Sequence, residues 1–247
     1  MMDSGAFWTG LYQQSQQVSL EVGALAALRV NHDLRTHAQV SCATAPWVAS
    51  PAAGVRRIVL ERDGGEVTTR ATSLVAYRAG SRFAAHSHPK GEEIWVLSGV
   101  FSDDSGDYAA GSYLRNPPGS AHAPFSHEGC LIFVKLQQFD ADDSVRLALG
   151  PTPMTDNLAS TPTNRRVLFE RPNERVERIR FEQAADLPAD LVLRGFEILV
   201  LNGVLTGAEN ACSVGTWLRC APSEPCALHA QAGTEIFVKS GHLGDWT

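Results

Sequence analysis

The sequence predicts an all-β fold of two tandem jelly-roll barrels, preceded by a short segment with the residue spacing of a helix. Two observations lead to this prediction. From Val30 onward, short apolar runs alternate with Gly, Pro and Asp, a pattern typical of β-barrels and jelly rolls. The second half then repeats the motifs of the first, which indicates two domains of one design. The 247 residues are enough for two barrels of about 100 residues each.

Residues 1–28 are the predicted N-terminal segment. A stretch rich in Gln and Ser is followed by Leu20, Val22, Leu25 and Leu28. The spacing of these apolar residues allows one short helix. We therefore treat the segment as separate from the first barrel.

Residues 29–140 are the predicted first barrel. Asp63-Gly64-Gly65 has the composition of a hairpin turn. The stretch from Gly80 to Ser126 contains the residues that carry chemistry. The β-rich runs outside that stretch are Ala38 to Ser41, Val55 to Glu61, Val67 to Tyr77 and Cys130 to Leu136.

Three histidines and one glutamate are predicted to converge on a single metal ion. His86 and His88 are two residues apart, so in a strand their side chains project from the same face. The turn that follows them returns Glu92 beside the pair. Pro117-Pro118-Gly119 predicts a second tight turn, which directs His122 toward the same cavity. The predicted ligands are therefore these four side chains.

This ligand set suits a borderline divalent ion. Imidazole and carboxylate together favour zinc or iron, and manganese, nickel and copper remain alternatives. The set lacks the thiolates of a closed structural zinc site, so we expect an open coordination position.

The spacing of these residues resembles a known superfamily. Gly-x5-His-x-His-x3-Glu-x6-Gly, from Gly80 to Gly99, and Gly-x5-Pro-x-Gly-x2-His, from Gly111 to His122, resemble the two motifs of the cupins. More narrowly, the runs Glu92 to Asp104 and Arg115 to Phe125 are similar to the ChrR-like cupins. Only Ser126 departs from the pattern, which usually ends in Asn at a position that is not a ligand.

The resemblance implies two functions that the sequence leaves open. ChrR-like cupins include dioxygenases, which implies a non-haem metal oxygenase acting on a small ketone or aromatic compound. They also include the cupin half of zinc-dependent anti-sigma factors, which implies a regulator with a sigma factor as partner. The chain shows no match to the His-x3-Cys-x2-Cys module of those anti-sigma factors, so we favour the enzyme. A metal-stabilised binding module without turnover is a third possibility.

Aromatic residues near the motifs are candidates for the wall of a pocket. They are Phe101, Tyr113 and Phe125. The nearby acidic run from Ser102 to Asp107 lacks the bidentate glutamate of a calcium-binding EF-hand loop, so we interpret it as a solvated turn.

Residues 141–164 are the predicted linker, because they are rich in Pro, Asp, Asn, Ser and Thr. Residues 165–247 are the predicted second barrel. Three motifs of the first barrel recur there at a constant offset of 104 residues: Glu93–Gly99 as Glu197–Gly203, Gly111–Arg115 as Gly215–Arg219, and Ile132–Lys135 as Ile236–Lys239.

The same offset shows that the second barrel has lost all four ligands. The positions of His86, His88, Glu92 and His122 are occupied there by Asp190, Val192, Phe196 and Cys226. A cavity without its ion needs apolar filling, which Phe196, Val192 and Cys226 can provide. We therefore predict that the second barrel binds no metal.

Composition favours some cellular locations and some classes of binding partner over others. A net charge of −6 without a Lys/Arg cluster argues against nucleic acid or an anionic membrane as partner and favours small molecules or proteins. Five scattered cysteines favour reduced thiols and a cytoplasmic location. No apolar run approaches the length of a membrane span. Trp95 and Leu97 on an outer face predict packing against the other barrel or against a second subunit in a homodimer.

Overall fold

The computed structural model describes residues 4–18, 28–65, 68–151, 153–154, 161–207, 211–222 and 226–244. These residues are mostly β-strand, with two α-helices among them. The predicted fold class is therefore confirmed.

Helix α1 spans Ser4–Gln17. It buries Trp8, Leu11 and Ser15, whose spacings of three and four residues place them on one helical face. The N-terminal helix thus lies before the apolar residues that predicted it. Residues 19–27, which include most of those positions, lie outside the described residues.

The first part of the chain contributes twelve strands. They are β1 (Leu28–Val30), β2 (Ala38–Ser41), β3 (Val48–Ala49), β4 (Val55–Gly64), β5 (Thr68–Tyr77), β6 (His86–His88), β7 (Glu92–Asp103), β8 (Gly106–Ala109), β9 (Tyr113–Asn116), β10 (Ser120–His122), β11 (Cys130–Leu136) and β12 (Leu147–Leu149).

All of these except β2 build the first barrel. One sheet has the order β1-β4-β5-β11-β7-β9-β12, with β3 beside β4 and β8 beside β7, and a small second sheet pairs β10 with β6. Alternate residues of the long strands point into the barrel. They form an apolar core that includes Tyr77, Ile94, Val96, Phe101 and Ile132.

The rest of the chain contributes helix α2 (Ala189–Arg194) and nine strands. The strands are β13 (Thr163–Arg171), β14 (Glu174–Phe181), β15 (Ala185–Asp186), β16 (Phe196–Asn202), β17 (Val204–Thr206), β18 (Ala211–Ser213), β19 (Thr216–Cys220), β20 (His229–Ala230) and β21 (Glu235–Ser240).

The second barrel has one sheet of order β13-β14-β21-β16-β19-β2 and another of order β15-β20-β17-β18. Strand β2 pairs antiparallel with β19, with Ala38 opposite Arg219. The sequence prediction counted this strand with the first barrel, whereas the structure places it in a sheet of the second.

The chain divides into two compact units. One unit comprises Trp8–His32 and Pro46–Thr152, and the other comprises Met1–Phe7, Asp33–Ala45 and Pro153–Thr247. The linker at residues 141–164 falls partly outside the described residues. The boundaries at residues 28, 140 and 164 stay predictions.

Gly99 and Gly203 show how far the two barrels share a frame. They have φ values of 72° and 77°, in the left-handed region that favours glycine. A Cβ atom at Gly99 would lie 2.1 Å from the carbonyl oxygen of Gly129, and one at Gly203 would lie 2.7 Å from Cα of Thr234. Both strands therefore turn at a position that admits no side chain.

Neither of the described helices has the length and apolar character that crossing a membrane requires.

Candidate metal centre

The three histidines predicted as ligands lie on the small sheet of the first barrel. Strands β6 and β10 pair antiparallel, with His122 opposite His86. Opposed residues project from the same face, and His88 follows His86 by two residues, so all three imidazoles share one face. The ring centroids are 4.9 Å apart for His86 and His88, 5.2 Å for His86 and His122, and 4.8 Å for His88 and His122.

Glu92 brings a carboxylate to the same point. Its Oε2 atom lies 3.3 Å from Nε2 of His122 and 3.6 Å from Nε2 of His88. Asn116 stands opposite Glu92 in the β7–β9 pairing and donates from Nδ2 to the same oxygen at 3.0 Å. One potential ligand atom from each of His86, His88, Glu92 and His122 lies within 4.8 Å of the others.

Hydrogen bonds at Nδ1 orient two of the imidazoles. Nδ1 of His86 lies 2.9 Å from the carbonyl oxygen of Ala84, and Nδ1 of His88 lies 3.3 Å from Oγ of Ser120. A carbonyl only accepts, so Nδ1 of neutral His86 carries the proton and Nε2 keeps its lone pair. The hydroxyl of Ser120 can accept from His88 in the same way. In both rings, the lone pair therefore lies on Nε2, where it can bind an ion.

A buried carboxylate orients the third imidazole. Oδ2 of Asp103 lies 3.0 Å from Nδ1 of His122, and both residues are buried. Burial lowers the pKa of His122, but the hydrogen bond to Asp103 and the charge of Glu92 outweigh it and raise the pKa above its ordinary value. Burial alone would raise the pKa of Asp103, yet His122 keeps it below its usual range. Such carboxylate–histidine pairs fix the tautomer of a metal ligand.

His88 has a different electrostatic environment. Burial lowers the pKa of this imidazole, and the neighbouring His122 and His86 lower it further against the opposing charge of Glu92. The ring is therefore neutral near pH 7 and offers a lone pair at Nε2.

The residues fit a metal ion by two criteria. Nε2 of His88 and Nε2 of His122 are buried without a hydrogen-bond partner among the described residues, although buried polar atoms are almost always hydrogen-bonded. Nitrogen and oxygen ligands at about 2.0–2.2 Å from one ion lie roughly 2.9–3.6 Å from each other. The separations of 3.3 Å and 3.6 Å from Glu92 Oε2 fall in this range.

A cavity of about 540 Å³ opens beside these side chains. Its walls combine apolar strand residues with two arginines, and Glu92 is the single acidic residue among them. The lining residues that bear on chemistry are Arg57, Arg62, Tyr77, Phe83, His86, His88 and Glu92, and those that supply apolar surface include Val75, Ile132, Val134 and Leu136.

The aromatic residues predicted for the pocket lie elsewhere. Phe101 is buried in the apolar core, with its ring centroid 6.1 Å from that of His122. The buried hydroxyl of Tyr113 donates to Glu93. Phe125 lies beneath the guanidinium of Arg82, 4.6 Å from its ring centroid. None of the three lines this cavity.

Residues that the sequence analysis missed complete the site. Asp103 lies in the acidic run interpreted as a solvated turn, and that interpretation is wrong for this residue, because it is buried against His122. Asn116 carried no motif signal, although it stands directly opposite Glu92 in adjoining strands. Tyr77 and Phe83 supply the aromatic wall that other residues were expected to provide.

Comparison with known families agrees with the motif spacing. Residues 35–140 match the ChrR Cupin-like domain, and this range contains all four predicted ligands. This part of the chain is therefore a ChrR Cupin-like domain. No match was found among curated proteins.

Several solved structures share the fold of this chain. One is a putative dioxygenase from Nostoc punctiforme, with a TM-score of 0.64 and 16% identity over 85% of both chains. Another is a putative glyoxylate-induced protein from Pseudomonas aeruginosa, with a TM-score of 0.65 and 11% identity over 93% of this chain and 96% of that one. A third is the bacterial pirin from Escherichia coli in complex with nickel(II), with a TM-score of 0.60 and 12% identity over 83% and 98%.

In the second barrel, other residues occupy the positions that correspond to the four predicted ligands of the first barrel. Asp190 lies on helix α2 and pairs with Arg165 at 2.7 Å. Phe196 is fully buried in the apolar core, and Val192 and Cys226 pack against it. Phe196, Val192 and Cys226 therefore supply apolar filling at three positions that correspond to predicted ligands, and the absence of metal from this barrel stays a prediction.

The cysteines differ from the prediction in one respect. Cys220 and Cys226 are joined by a disulfide, whereas the scattered cysteines predicted unpaired thiols. Cys42, Cys130 and Cys212 are free and buried. The prediction of wholly reduced cysteines is therefore wrong for one pair.

Proposed function

We propose that the first barrel binds one divalent transition metal ion and turns over a small molecule as a non-haem metal oxygenase. The observation that carries this proposal is the pair of buried Nε2 atoms, in His88 and His122, that face Glu92 Oε2 and have no hydrogen-bond partner in the part of the chain that the structure describes. Zinc and iron suit the ligand set best, with manganese, nickel and copper as alternatives. When bound, such an ion supplies an open coordination position at which dioxygen or a chelating ketone or phenolate is activated.

The protein residues divide the work at the site. His86, His88 and His122 would hold the ion through Nε2, and Glu92 would supply the single negative charge. Asp103 fixes the His122 ring through Nδ1, and its charge makes that imidazole a stronger donor. This division explains why the site needs buried polar residues beyond its four ligands.

The cavity indicates the class of substrate. A volume of about 540 Å³ is in the range of small-molecule pockets. Tyr77 and Phe83 line it with aromatic rings, and Arg57 and Arg62 line it with positive charge. A small ketone or aromatic compound fits the apolar walls, and the two arginines favour one that carries a carboxylate.

Metal content and oxygen consumption test the proposal. Protein purified without chelators is analysed for metal, loaded with Fe(II), and assayed for oxygen uptake on β-diketones and hydroxylated aryl ketones, each with and without a carboxylate. We expect bound metal and uptake with at least one compound, faster for its carboxylated form. His86→Ala is expected to abolish uptake.

Arg57 offers a control for the substrate class. Replacement by Met keeps an unbranched apolar chain at this position and removes the charge, so KM is expected to rise for carboxylated compounds and to change little for neutral ones. A protein that binds no divalent metal would contradict the proposal. Equal KM values in the variant and the wild type would refute the role of the arginine.

A zinc-binding regulator without catalysis is the second candidate, because residues 35–140 match the ChrR domain. A zinc-loaded protein that consumes no oxygen and retains a sigma factor in a pull-down would favour it. The sigma-factor partner, the homodimer and the cytoplasmic location stay predictions.

A further inference from the structure

A second cluster of potential metal ligands lies in the other unit of the chain. One donor atom from each of His37, Cys220 and Cys226 lies within 4.8 Å of the others. The strand register accounts for the contact: β2 and β19 are paired with Ala38 opposite Arg219, so the next residues outward are His37 and Cys220. Cys226, six residues after Cys220, is bonded to it through a disulfide.

This cluster occupies the place in the second barrel that corresponds to the metal centre of the first. At the offset of 104 residues, Cys226 stands where the first barrel has the ligand His122. Cys220 stands where it has Asn116, which donates to the ligand Glu92. The second barrel therefore lacks the original ligands but carries two sulfur atoms and an imidazole at the same end of its sheet.

We propose that His37, Cys220 and Cys226 form a redox-gated metal site. While the disulfide is intact, both sulfurs are bonded to each other and the cluster binds no ion. After reduction, two thiolates and one imidazole bind a thiophilic divalent ion such as zinc, with a fourth position open to water.

The reduction and the oxidation of the switch both balance in electrons and protons. A phosphine supplies two electrons to the Cys220–Cys226 bond and becomes a phosphine oxide, while one water molecule gives the oxide oxygen and the two thiol protons. A dithiol supplies both the electrons and the protons and becomes a cyclic disulfide. An incoming divalent ion then displaces one proton from each thiol. In the reverse direction, hydrogen peroxide accepts two electrons from the two metal-bound thiolates and two protons from the solvent, which re-forms the disulfide, gives two water molecules and releases the ion.

The three residues differ in their exposure to solvent, and the difference leaves one side of the cluster accessible. Cys220 is buried, Cys226 is half-buried and His37 is exposed. A reductant and an ion can therefore reach the cluster from the side of His37 and Cys226. The inner thiolate of Cys220 would be held by the apolar core, to which this residue belongs.

Cobalt(II) distinguishes this site from the first one. A thiolate bound to Co²⁺ gives an intense near-ultraviolet charge-transfer band, whereas imidazole and carboxylate do not. The full-length protein is reduced with a phosphine, freed of reductant without oxygen, and titrated with Co²⁺ while its absorption is recorded. We expect the band in reduced protein, its absence in oxidised protein, and its loss when peroxide is added.

Variants locate the band. Cys226→Ser is expected to weaken it at least about tenfold, and His37→Ala to raise the Co²⁺ concentration at half-saturation by about tenfold or more. Cys212→Ser is the matched control, because it removes a buried cysteine outside the cluster, and His122→Ala removes only the first site. Both are expected to keep the band.

Two outcomes would overturn the proposal. One is the absence of a thiolate band from reduced wild-type protein whose free-thiol content shows that the disulfide is open. The other is a band of unchanged intensity in the Cys226→Ser variant.

Discussion

The backbone of Arg82 lies opposite that of Phe125 in an antiparallel β-bridge of the first barrel. In the second barrel, Asp186 lies opposite His229 in the same kind of antiparallel pairing. Each residue of the second pair follows its counterpart by 104 positions. The two barrels therefore share one arrangement of strands, here called the frame, up to this pair of residues. The segment that comes next differs completely, since it is strand β6 in one barrel and helix α2 in the other. The strands of a barrel therefore assemble whether or not strand β6, which carries His86 and His88, is present. The fold does not depend on the predicted metal-binding residues.

Charged residues on the outer side of the frame support the same distinction. Glu93 stands opposite Arg115 in the first barrel, and Glu197 stands opposite Arg219 in the second. The nearest atoms of these pairs are 3.5 Å and 3.0 Å apart. Both pairs are buried and recur at the same offset, so they belong to the shared frame. Glu92 has no such counterpart, because Phe196 takes its position in the second barrel.

The largest expected effect comes from removing one imidazole. His122→Ala in oxidised protein is expected to weaken metal binding at least about tenfold, so that dialysis removes most of the ion, because one of four ligands is lost and the buried carboxylate of Asp103 loses its hydrogen-bond partner. Elemental analysis after dialysis measures this. His229→Ala, which removes an exposed histidine from the second barrel, is the control and should keep the metal.

Adjacent glutamates offer the sharpest test of which residues belong to the site. Glu92→Gln is expected to lower metal affinity strongly, because the one carboxylate among the four proposed ligands is lost. Glu93→Gln should leave the affinity unchanged and lower the free energy of unfolding by about 1–3 kcal/mol, through its bonds to Tyr113 and Arg115. Isothermal titration with Zn²⁺ and urea unfolding measure the two effects. Equal loss of affinity in both variants would break the distinction.

Asp103 is expected to act through His122. Asp103→Asn removes the charge that supports Nδ1 of the imidazole, and metal affinity should fall by about 10–100-fold. Competition with a chromogenic chelator measures it. Asp104→Asn changes the exposed neighbour and should have no effect. If both variants bind metal equally, Asp103 is not a positioning residue.

The smallest effects concern the shared frame. Gly99→Ala and Gly203→Ala each force a side chain into the left-handed region, at a cost of roughly 1–2 kcal/mol before any clash. The closer approach to backbone at Gly99 predicts the larger loss of unfolding free energy there. Gly150→Ala, where a Cβ atom meets nothing within 4 Å, should be neutral. Urea unfolding measures all three, and loss in only one barrel would contradict a common frame.

Local spacing explains why the ligand positions were accessible to prediction. The separation of His86 and His88 fixes their common face, and two glycine-rich motifs fix where Glu92 and His122 return. Asp103 was missed because an acidic run has the composition of a solvated turn. In the structure, this aspartate is the last residue of strand β7, which pairs with β8, and it is buried.

The pocket was mispredicted for a reason that alternation explains. Tyr113 stands opposite Trp95, three residues after Glu92, and side chains an odd number of residues apart on a strand point to opposite faces. Tyr113 therefore lies on the Glu93 face, away from the site. The partner of strand β2 and the disulfide of Cys220 depend on long-range topology, which neither a run of four residues nor a six-residue spacing encodes.

The most direct test of the account is an anomalous difference map of oxidised crystals loaded with one equivalent of Zn²⁺, collected at the zinc edge. The account predicts a dominant peak between the imidazoles of His86, His88 and His122, beside the carboxylate of Glu92. A map whose strongest peak lies elsewhere, with none among these side chains, would contradict it.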